Sequence, residues 1–400
     1  MKASLYSLFT FKRYIEQILM FPFVLLGKLY AGFKPLHEEF DVFLFFPNYS
    51  IGGAERINAE VVNALPDKKL IIYFTKRSHN DGMLHFFRRP NVTIKEIGNY
   101  TGNKYVYFLN LVWRGIIASY INNQKKTPKV FVGQCNFGYK LTPHLKRSIP
   151  VVELIHVHEP PFLWVWAPFL KFIHTRIIVG DAFKTTFENV HKTYGIPIHY
   201  MDKYRVIRYC LEYTPETLLR KSFSMPLKVY YAGRGGHQKR LWILFKIIEK
   251  CRMLDLPLQF SLAGSFENEV PEDLAKDGTY IGKLKGGEAM YNFHKGHDIL
   301  LMTSAFEGFP VVIMEAMSFG SPVIAPPVDA IPENIQHEYN GFIIDEYIDE
   351  AKMVDNAVSI LQSIIADPSR LQRISENAFD TIVTKFSKEK FILAYRELLA

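Results

Sequence analysis

The sequence predicts an α/β protein made of two Rossmann-like domains. The chain is long, its short apolar runs fall into two successive series, and glycine-rich loops directly follow the first run of each series. Four hundred residues exceed one ordinary core and suit two domains of ~150–200 residues each. Strands buried on both faces of a parallel sheet read as continuous apolar runs, and amphipathic stretches between them read as crossover helices.

The first series starts with the apolar run from Asp41 to Phe46, a buried strand. A turn-forming loop from Pro47 to Gly53 follows, then a helix over Ala54–Ala64. Further strands are predicted at Lys69–Phe74, Val92–Lys95, Lys129–Val132, Pro150–Ile155 and Thr175–Val179. The second series begins after the polar stretch around Leu211–Pro226. It opens with a strand at Leu227–Ala232, a glycine-rich loop over Gly233–Lys239 and a helix at Leu241–Arg252. Strands at Leu258–Ala263, Thr279–Ile281, Asp298–Met302 and Pro322–Ala325 continue it. The tail from Ala351 reads as two helices split by the Asp367–Pro368 turn, with a terminal helix over 386–400. The expected division is a segment over 1–37, a first domain over 38–215 and a second over 216–385. In sheets of this kind ligands bind beyond the carboxyl ends of the strands, and two such domains facing each other across a deep cleft place the ligand between them.

Hydrophobic residues make up 48% and charged residues 22%, which excludes a disordered chain. A formal charge of +8 favours an anionic partner: nucleic acid, an acidic lipid surface or a phosphorylated small molecule. Nucleic acid is set aside because the chain has no zinc-finger spacing, arginine-rich tract or RNA-binding signature. Cys135, Cys210 and Cys251 are odd in number and far apart, which argues for a reducing, cytosolic setting and against a disulfide framework or zinc knuckle.

At the N-terminus, Ile18–Leu26 is a continuous apolar run flanked by Lys12, Arg13, Lys28 and Lys34. Nine residues fall short of the ~20 a spanning helix needs. Basic flanks with a Phe- and Leu-rich face predict a segment lying in the membrane interface, peripheral on the inner face; the alternative is a helix packed on the protein body.

The segment from Ser304 to Ala325 carries the most chemistry. It reads as strand end, loop, helix, stop and strand, with Pro310 at the helix start, Gly320 ending it and Pro322 forbidding continuation. The helix N-terminus presents unpaired N–H groups suited to an anion. Glu307 lies in the loop and Glu315 in the helix, with seven residues between them. Here the sequence resembles the retaining family-4 (group 1) glycosyltransferases of GT-B fold. The match takes in Glu307, Gly308, Phe309, Pro310, Glu315, Ala316, Met317, Gly320, Pro322 and Val323, and continues through Ile331–Glu333 and Asn340–Gly341. The resemblance implies that Glu315 holds the ribose hydroxyls of a nucleotide-sugar and that Glu307 contacts the donor sugar, with Gly308, Phe309 and Pro310 around it.

Three further segments extend it. Gly233–Lys239 lets backbone approach phosphate, with Arg234 and Lys239 as the cations; the family grips its donor diphosphate at this spacing, stabilising the departing nucleotide. This loop fails the dinucleotide pattern because Gln238 stands where the last glycine belongs, and no Walker A motif is present. Gly52 and Gly53 resemble the glycine loop of the family's first domain, which backs the donor phosphate. His156 and His158 compete for the family's reaction-centre histidine; strand register favours His156. A histidine pair without clustered ligands is a poor metal site, and no Asp-x-Asp is present, so neither metal nor cofactor is expected. Departures from the family lie at Asp329–Ala330, where a glycine pair is common, and at Arg240, where a glycine usually follows the lysine. Gly264–Phe266 lacks a second glycine, and Cys210 stands near an Asn-Gly of relatives.

The implied reaction is sugar transfer with retention from a UDP- or GDP-sugar, through an oxocarbenium-like state, with the diphosphate helping to take the acceptor's proton. Closure over the donor would exclude water. The aromatic stretch Pro160–Trp166 and the basic N-terminus suggest a glycan or lipid-linked acceptor in cell-envelope polysaccharide assembly; the same aromatics are equally explained as core. The rival readings are a nucleotide-sugar epimerase or phosphorylase of the same fold and a non-catalytic nucleotide-sugar-binding protein.

Overall fold

The structure is a computed structural model that describes residues 4–156, 163–211, 221–284 and 287–399. The chain divides into two compact units, Met1–Arg208 with Glu389–Ala400, and Tyr209–Lys388.

The first unit holds a seven-stranded parallel sheet: β1 (Val42–Phe46), β2 (Leu70–Phe74), β3 (Val92–Glu96), β4 (Lys129–Gly133), β5 (Val151–Leu154), β6 (Thr175–Ile178) and β7 (Tyr204–Val206). Their order is β3-β2-β1-β4-β5-β6-β7. All five residues of β1 and of β2 are buried, which is why both read as unbroken apolar runs. Burial of each Phe contributes about 1.5–3 kcal/mol. The second unit repeats the plan with β8 (Leu227–Ala232), β9 (Leu258–Ala263), β10 (Tyr280–Gly282), β11 (Ile299–Leu301), β12 (Val323–Ala325) and β13 (Phe342–Ile343), ordered β10-β9-β8-β11-β12-β13. Both orders reverse direction beside their first strand, so each sheet has a switch point at its carboxyl edge. The two Rossmann-like domains anticipated from the sequence are therefore present. Two short edge strands, β7 and β13, were not anticipated.

The helices Glu350–Ala366 and Arg370–Lys385 close the second unit, whereas Lys388–Leu399 packs in the first. There Tyr395 is fully buried against Phe131, and the Arg396 Nε donates to the Ala64 carbonyl at 3.0 Å.

The N-terminal expectation needs correction. The nine-residue run is the middle of a 29-residue helix, α1 (Leu5–Phe33), that continues through Pro22. At about 43 Å it meets the length and composition of a membrane-crossing helix, so the length argument against a span does not hold. One face of α1 is docked on the helix Tyr107–Asn122. Two glycines make this possible: a Cβ at Gly27 would lie 2.0 Å from the Val112 carbonyl oxygen, and one at Gly115 1.9 Å from that of Val24. The remaining face carries exposed Leu8, Phe11, Ile15, Ile18, Leu19 and Leu26. The helix is thus both packed on the body and apolar outward.

Candidate active site

In the second unit, β8 delivers the loop Gly233–Lys239 to the helix Leu241–Met253. The loop rests on the turn after β9: Gly233 N–H donates to Ala263 O at 3.0 Å, and a Cβ on Gly264 would collide with the Gly233 carbonyl at 1.6 Å. Only glycine permits that approach, and its φ of +149° is also closed to other residues. The Arg234 carbonyl accepts from the Tyr231 hydroxyl at 2.7 Å, leaving the Arg234 side chain exposed.

The segment after β11 is laced to this loop. Ala305 N–H donates to Gln238 O at 2.8 Å, the Gln238 side-chain amide to Phe306 O at 2.9 Å, and the Thr303 hydroxyl to Lys239 O at 2.9 Å. Gln238, which breaks the dinucleotide pattern, is therefore a lacing residue. Arg240 is the strongest lace. Its guanidinium donates to the carbonyls of Thr303 (2.8 Å), Ser304 (3.1 Å) and Tyr347 (2.8 Å). It does so from φ +48°, a left-handed conformation that glycine adopts most readily. Here three carbonyl bonds offset the strain.

Through this lacing Lys239 and Glu307 form an ion pair, with side chains 13% and 7% exposed. Glu307 is oriented from behind by Asp329, whose Oδ2 accepts from the Glu307 N–H at 2.6 Å. Asp329, where the resemblance implied glycine, also stands at positive φ, +48°. Burial raises its carboxyl to about 6; the N–H bond works against that rise and the Glu307 charge adds to it.

Pro310 is the N-cap residue of the helix Val311–Ser318, one position before the first turn anticipated for it. Gly320 at φ +72° ends the helix. Phe309 is buried and stacks on Phe386 at 5.0 Å, so its ring serves the core and it offers a ligand backbone only. Gly308 lies between it and Glu307, half-buried.

Glu315 is 6% exposed within the helix. Its Oε2 lies 3.5 Å from His294 Nε2, while His294 Nδ1 lies 2.7 Å from the Tyr230 hydroxyl. If Tyr230 donates to Nδ1, the tautomer places the imidazole proton on Nε2, facing Glu315. A buried chain extends behind it. Ser321 Oγ donates to the His294 carbonyl at 3.4 Å, and the Lys221 Nζ donates to Ser321 Oγ at 2.7 Å. Asp329, Arg240 and His294 were not read as site residues. The first two stood in the sequence only as departures from the family.

In the first unit β1 leads through Asn48–Gly53 into α2 (Gly53–Asn63). Gly52 is the N-cap residue of α2 in extended backbone, where a Cβ would meet the Glu55 carboxylate at 2.3 Å, and Gly53 is its first residue. Buried Asn58 of α2 meets His156: its Oδ1 lies 3.1 Å from His156 Nε2, and the His156 N–H donates to Gln134 Oε1 at 3.0 Å. Burial lowers the His156 imidazole to about 4, so it is neutral at physiological pH. His158 lies outside the described residues, as do Pro160, Pro161 and Phe162 of the aromatic stretch. Trp166 is core, with the Arg176 guanidinium 4.2 Å from its ring centroid, and Trp164 is 41% exposed. Glu153, before His156, is fully buried and paired with Arg176 at 2.6 Å, a structural role. Among the described residues no three His, Cys, Asp or Glu side chains cluster as metal ligands.

Residues 220–381 match the family model "Glycosyl transferases group 1". Over shorter stretches the chain is similar to an N-acetyl-alpha-D-glucosaminyl L-malate synthase of Bacillus anthracis, at 32% identity over 101 residues. It is likewise similar to the amylovoran biosynthesis glycosyltransferase AmsK of Erwinia amylovora, at 27% over 143 residues. These matches span 25% of this chain and 25% of the first relative, and 32% and 34% for the second. The whole architecture is similar to that of Anabaena Alr3699/HepE, solved in complex with UDP and glucose. That likeness has a TM-score of 0.68 and 18% identity, covering 90% of this chain and 99% of the other. Sucrose-phosphate synthase from Thermosynechococcus elongatus gives a TM-score of 0.66 at 15% identity, with 89% and 97% covered. The chain therefore has the GT-B fold, and its C-terminal unit is a domain related to the group 1 glycosyltransferases.

Proposed function

We propose that the protein is a glycosyltransferase that moves a sugar, with retention, from a nucleotide-sugar donor to a glycan or lipid-linked acceptor. The observation that carries this is the lacing of two loops at the carboxyl edge of one sheet. It brings Lys239 against Glu307 and sets Glu315 one helix further, within a domain related to known glycosyltransferases. In this reading the Glu315 carboxylate accepts two hydrogen bonds from the ribose diol. Lys239, supported by exposed Arg234, moves from Glu307 towards the diphosphate and stabilises the charge that builds as the nucleotide departs. Glu307, thereby released, faces the donor sugar. Neutral His156 acts as a hydrogen-bonding group rather than a cation, and Gly52 and Gly53 keep the start of α2 open to the donor.

UDP is the first nucleotide to test, because the similar Anabaena and sucrose-phosphate synthase folds include one solved with UDP and glucose. Thermal-shift titration with UDP, GDP, ADP and their sugars should show stabilisation by one nucleotide family. That shift should vanish in Glu315→Ala and shrink with the 2′,3′-dideoxy nucleotide. A shift indifferent to both changes would remove Glu315 from the ribose site. Peripheral attachment to the inner membrane face through the outer face of α1 belongs to the same proposal, supported by its exposed apolar side chains.

A further inference from the structure

Behind α1 the first unit buries more positive charge than it neutralises. Arg13 of α1, Arg114 of the helix Tyr107–Asn122 and Lys140 of the helix Asn136–Leu141 converge on one cavity, with Glu16 as the carboxylate among its lining residues. Arg13 and Arg114 are 9% and 5% exposed. Glu16 is already engaged by Arg13 at 2.5 Å. Arg114 and Lys140 instead share a neutral acceptor, the Tyr107 hydroxyl, at 2.9 and 3.3 Å, and Arg114 also donates to Asn110 Oδ1 at 2.6 Å. Burial pushes the Tyr107 phenol up, but the two cations outweigh it and hold the group below its ordinary value. Burial also depresses Lys140. Two cations held together by a phenol in a desolvated space are an unfinished arrangement, because buried charge is stable only when paired.

The cavity's dimensions indicate what completes it. The inner space is about 20 Å³, room for one water-sized atom. Gln17 and His144 also line a neighbouring groove of about 490 Å³, bounded by Tyr14, Ile18, Phe21, Lys28 and Pro143. α1 supplies its apolar residues Ile18 and Phe21 together with Tyr14, Gln17 and a further cation, Lys28. One oxygen of a tetrahedral anion fits the inner space, with the rest of the group in the groove. A hydrocarbon chain attached to that anion would continue along Ile18 and Phe21 onto the exposed apolar face of α1.

We propose that this pocket binds the phosphate of an anionic phospholipid headgroup, with Arg114 and Lys140 as its principal ligands. The phosphate chemistry follows from the buried cations. The lipid source rests on the reading of α1 as membrane-facing, and the experiment separates the two.

The full chain is sedimented with vesicles of phosphatidylcholine alone and of phosphatidylcholine with phosphatidylglycerol. Wild type should bind the mixed vesicles more tightly, and Lys140→Gln and Arg114→Gln should each reduce that preference about tenfold. Lys12→Gln removes the same charge from a 66%-exposed side chain on α1 and should cost only a few-fold. Lys140 is half-buried, so its variant should fold even if Arg114→Gln does not. Wild-type preference in a folded Lys140→Gln protein, or equal losses in Lys140→Gln and Lys12→Gln, would overturn the pocket. Binding to both vesicle types without preference would also overturn it, while leaving α1 as a membrane contact. Inorganic phosphate is titrated in parallel against chloride at equal ionic strength. Stabilisation that depends on Lys140, without vesicle binding, would reassign the site to a soluble phosphate and overturn both the lipid source and the membrane reading of α1.

Discussion

Asp329→Asn should make the protein more stable, by an amount set by pH. The Asp329 carboxyl is raised from 3.8 to about 6, chiefly by burial. A raised acid takes up a proton on folding, so its contribution is fully present below about pH 3.8 and is lost as pH rises through about 6. The cost is RT times the logarithm of the ratio of protonated fractions, folded over unfolded. It is about 0.5 kcal/mol at pH 4, about 1.6 at pH 5 and about 3 by pH 7. An asparagine keeps an oxygen for the Glu307 N–H and tolerates φ +48°, but never ionises. The advantage of the variant should therefore grow from about 0.5 to about 3 kcal/mol over that range. Urea unfolding of both full-length proteins at a series of pH values measures the difference from their midpoints and slopes. An advantage that stays constant with pH, or a wild type that remains more stable at neutrality, would refute the buried-carboxylate account.

Removing the lysine of the site should have a structural cost besides a catalytic one. Lys239→Ala leaves Glu307 at 6% exposure without its cation, a loss of about 3–5 kcal/mol, and the double variant with Glu307→Ala should recover much of it in the same unfolding assay. Purely additive losses would show that the pair is not coupled. His156, held near 4 by burial, should show flat imidazole signals by NMR between about pH 5 and 8; a midpoint near its ordinary 6.5 would mean that the ring is hydrated. Gly115→Val should undock α1 and speed proteolysis between α1 and β1 at least about tenfold, since even a Cβ there would lie 1.9 Å from a carbonyl oxygen. Gly32→Ala, where a Cβ meets nothing within 4 Å, should be neutral or stabilising by roughly 0.5–1 kcal/mol.

The central strands were legible because each is a fully buried run whose apolar residues are contiguous in sequence. The predicted bounds of β8 and β9 match the observed ones to the residue. The edges were not. β7 has three residues, one of them exposed Arg205, and β13 has two, too few for any periodicity. α1 was truncated to its apolar middle because the flanking polar residues look like termini. In the fold Arg13 is tucked against Trp164 and Phe169, and a proline does not stop the helix. Glu307 and Glu315 stood out through the resemblance, and Lys239 also through its place in a glycine-rich loop after a strand. Their supporting residues could not, because their contacts join distant positions: Asp329 with Glu307, Arg240 with Thr303, and His294 with Glu315. Nothing in the local pattern of these residues announces a partner. What the sequence did carry was their oddity: Arg240 and Asp329 stand where glycine was anticipated, and both adopt the backbone that glycine would have supplied.

The interlocked glycines of α1 bear on the order of synthesis. α1 leaves the ribosome tens of residues before the helix that covers Gly27 and Val24 has been made. At about 5–20 residues per second the interval is several seconds. During that interval both faces of a 29-residue apolar helix are uncovered. Its outer face will remain so after folding is complete. The nascent chain therefore presents a surface that attracts chaperones, targeting factors or bilayer before any residue of the candidate site has been made. The timing of Gly115's arrival decides whether that early encounter ends with α1 docked on its own domain.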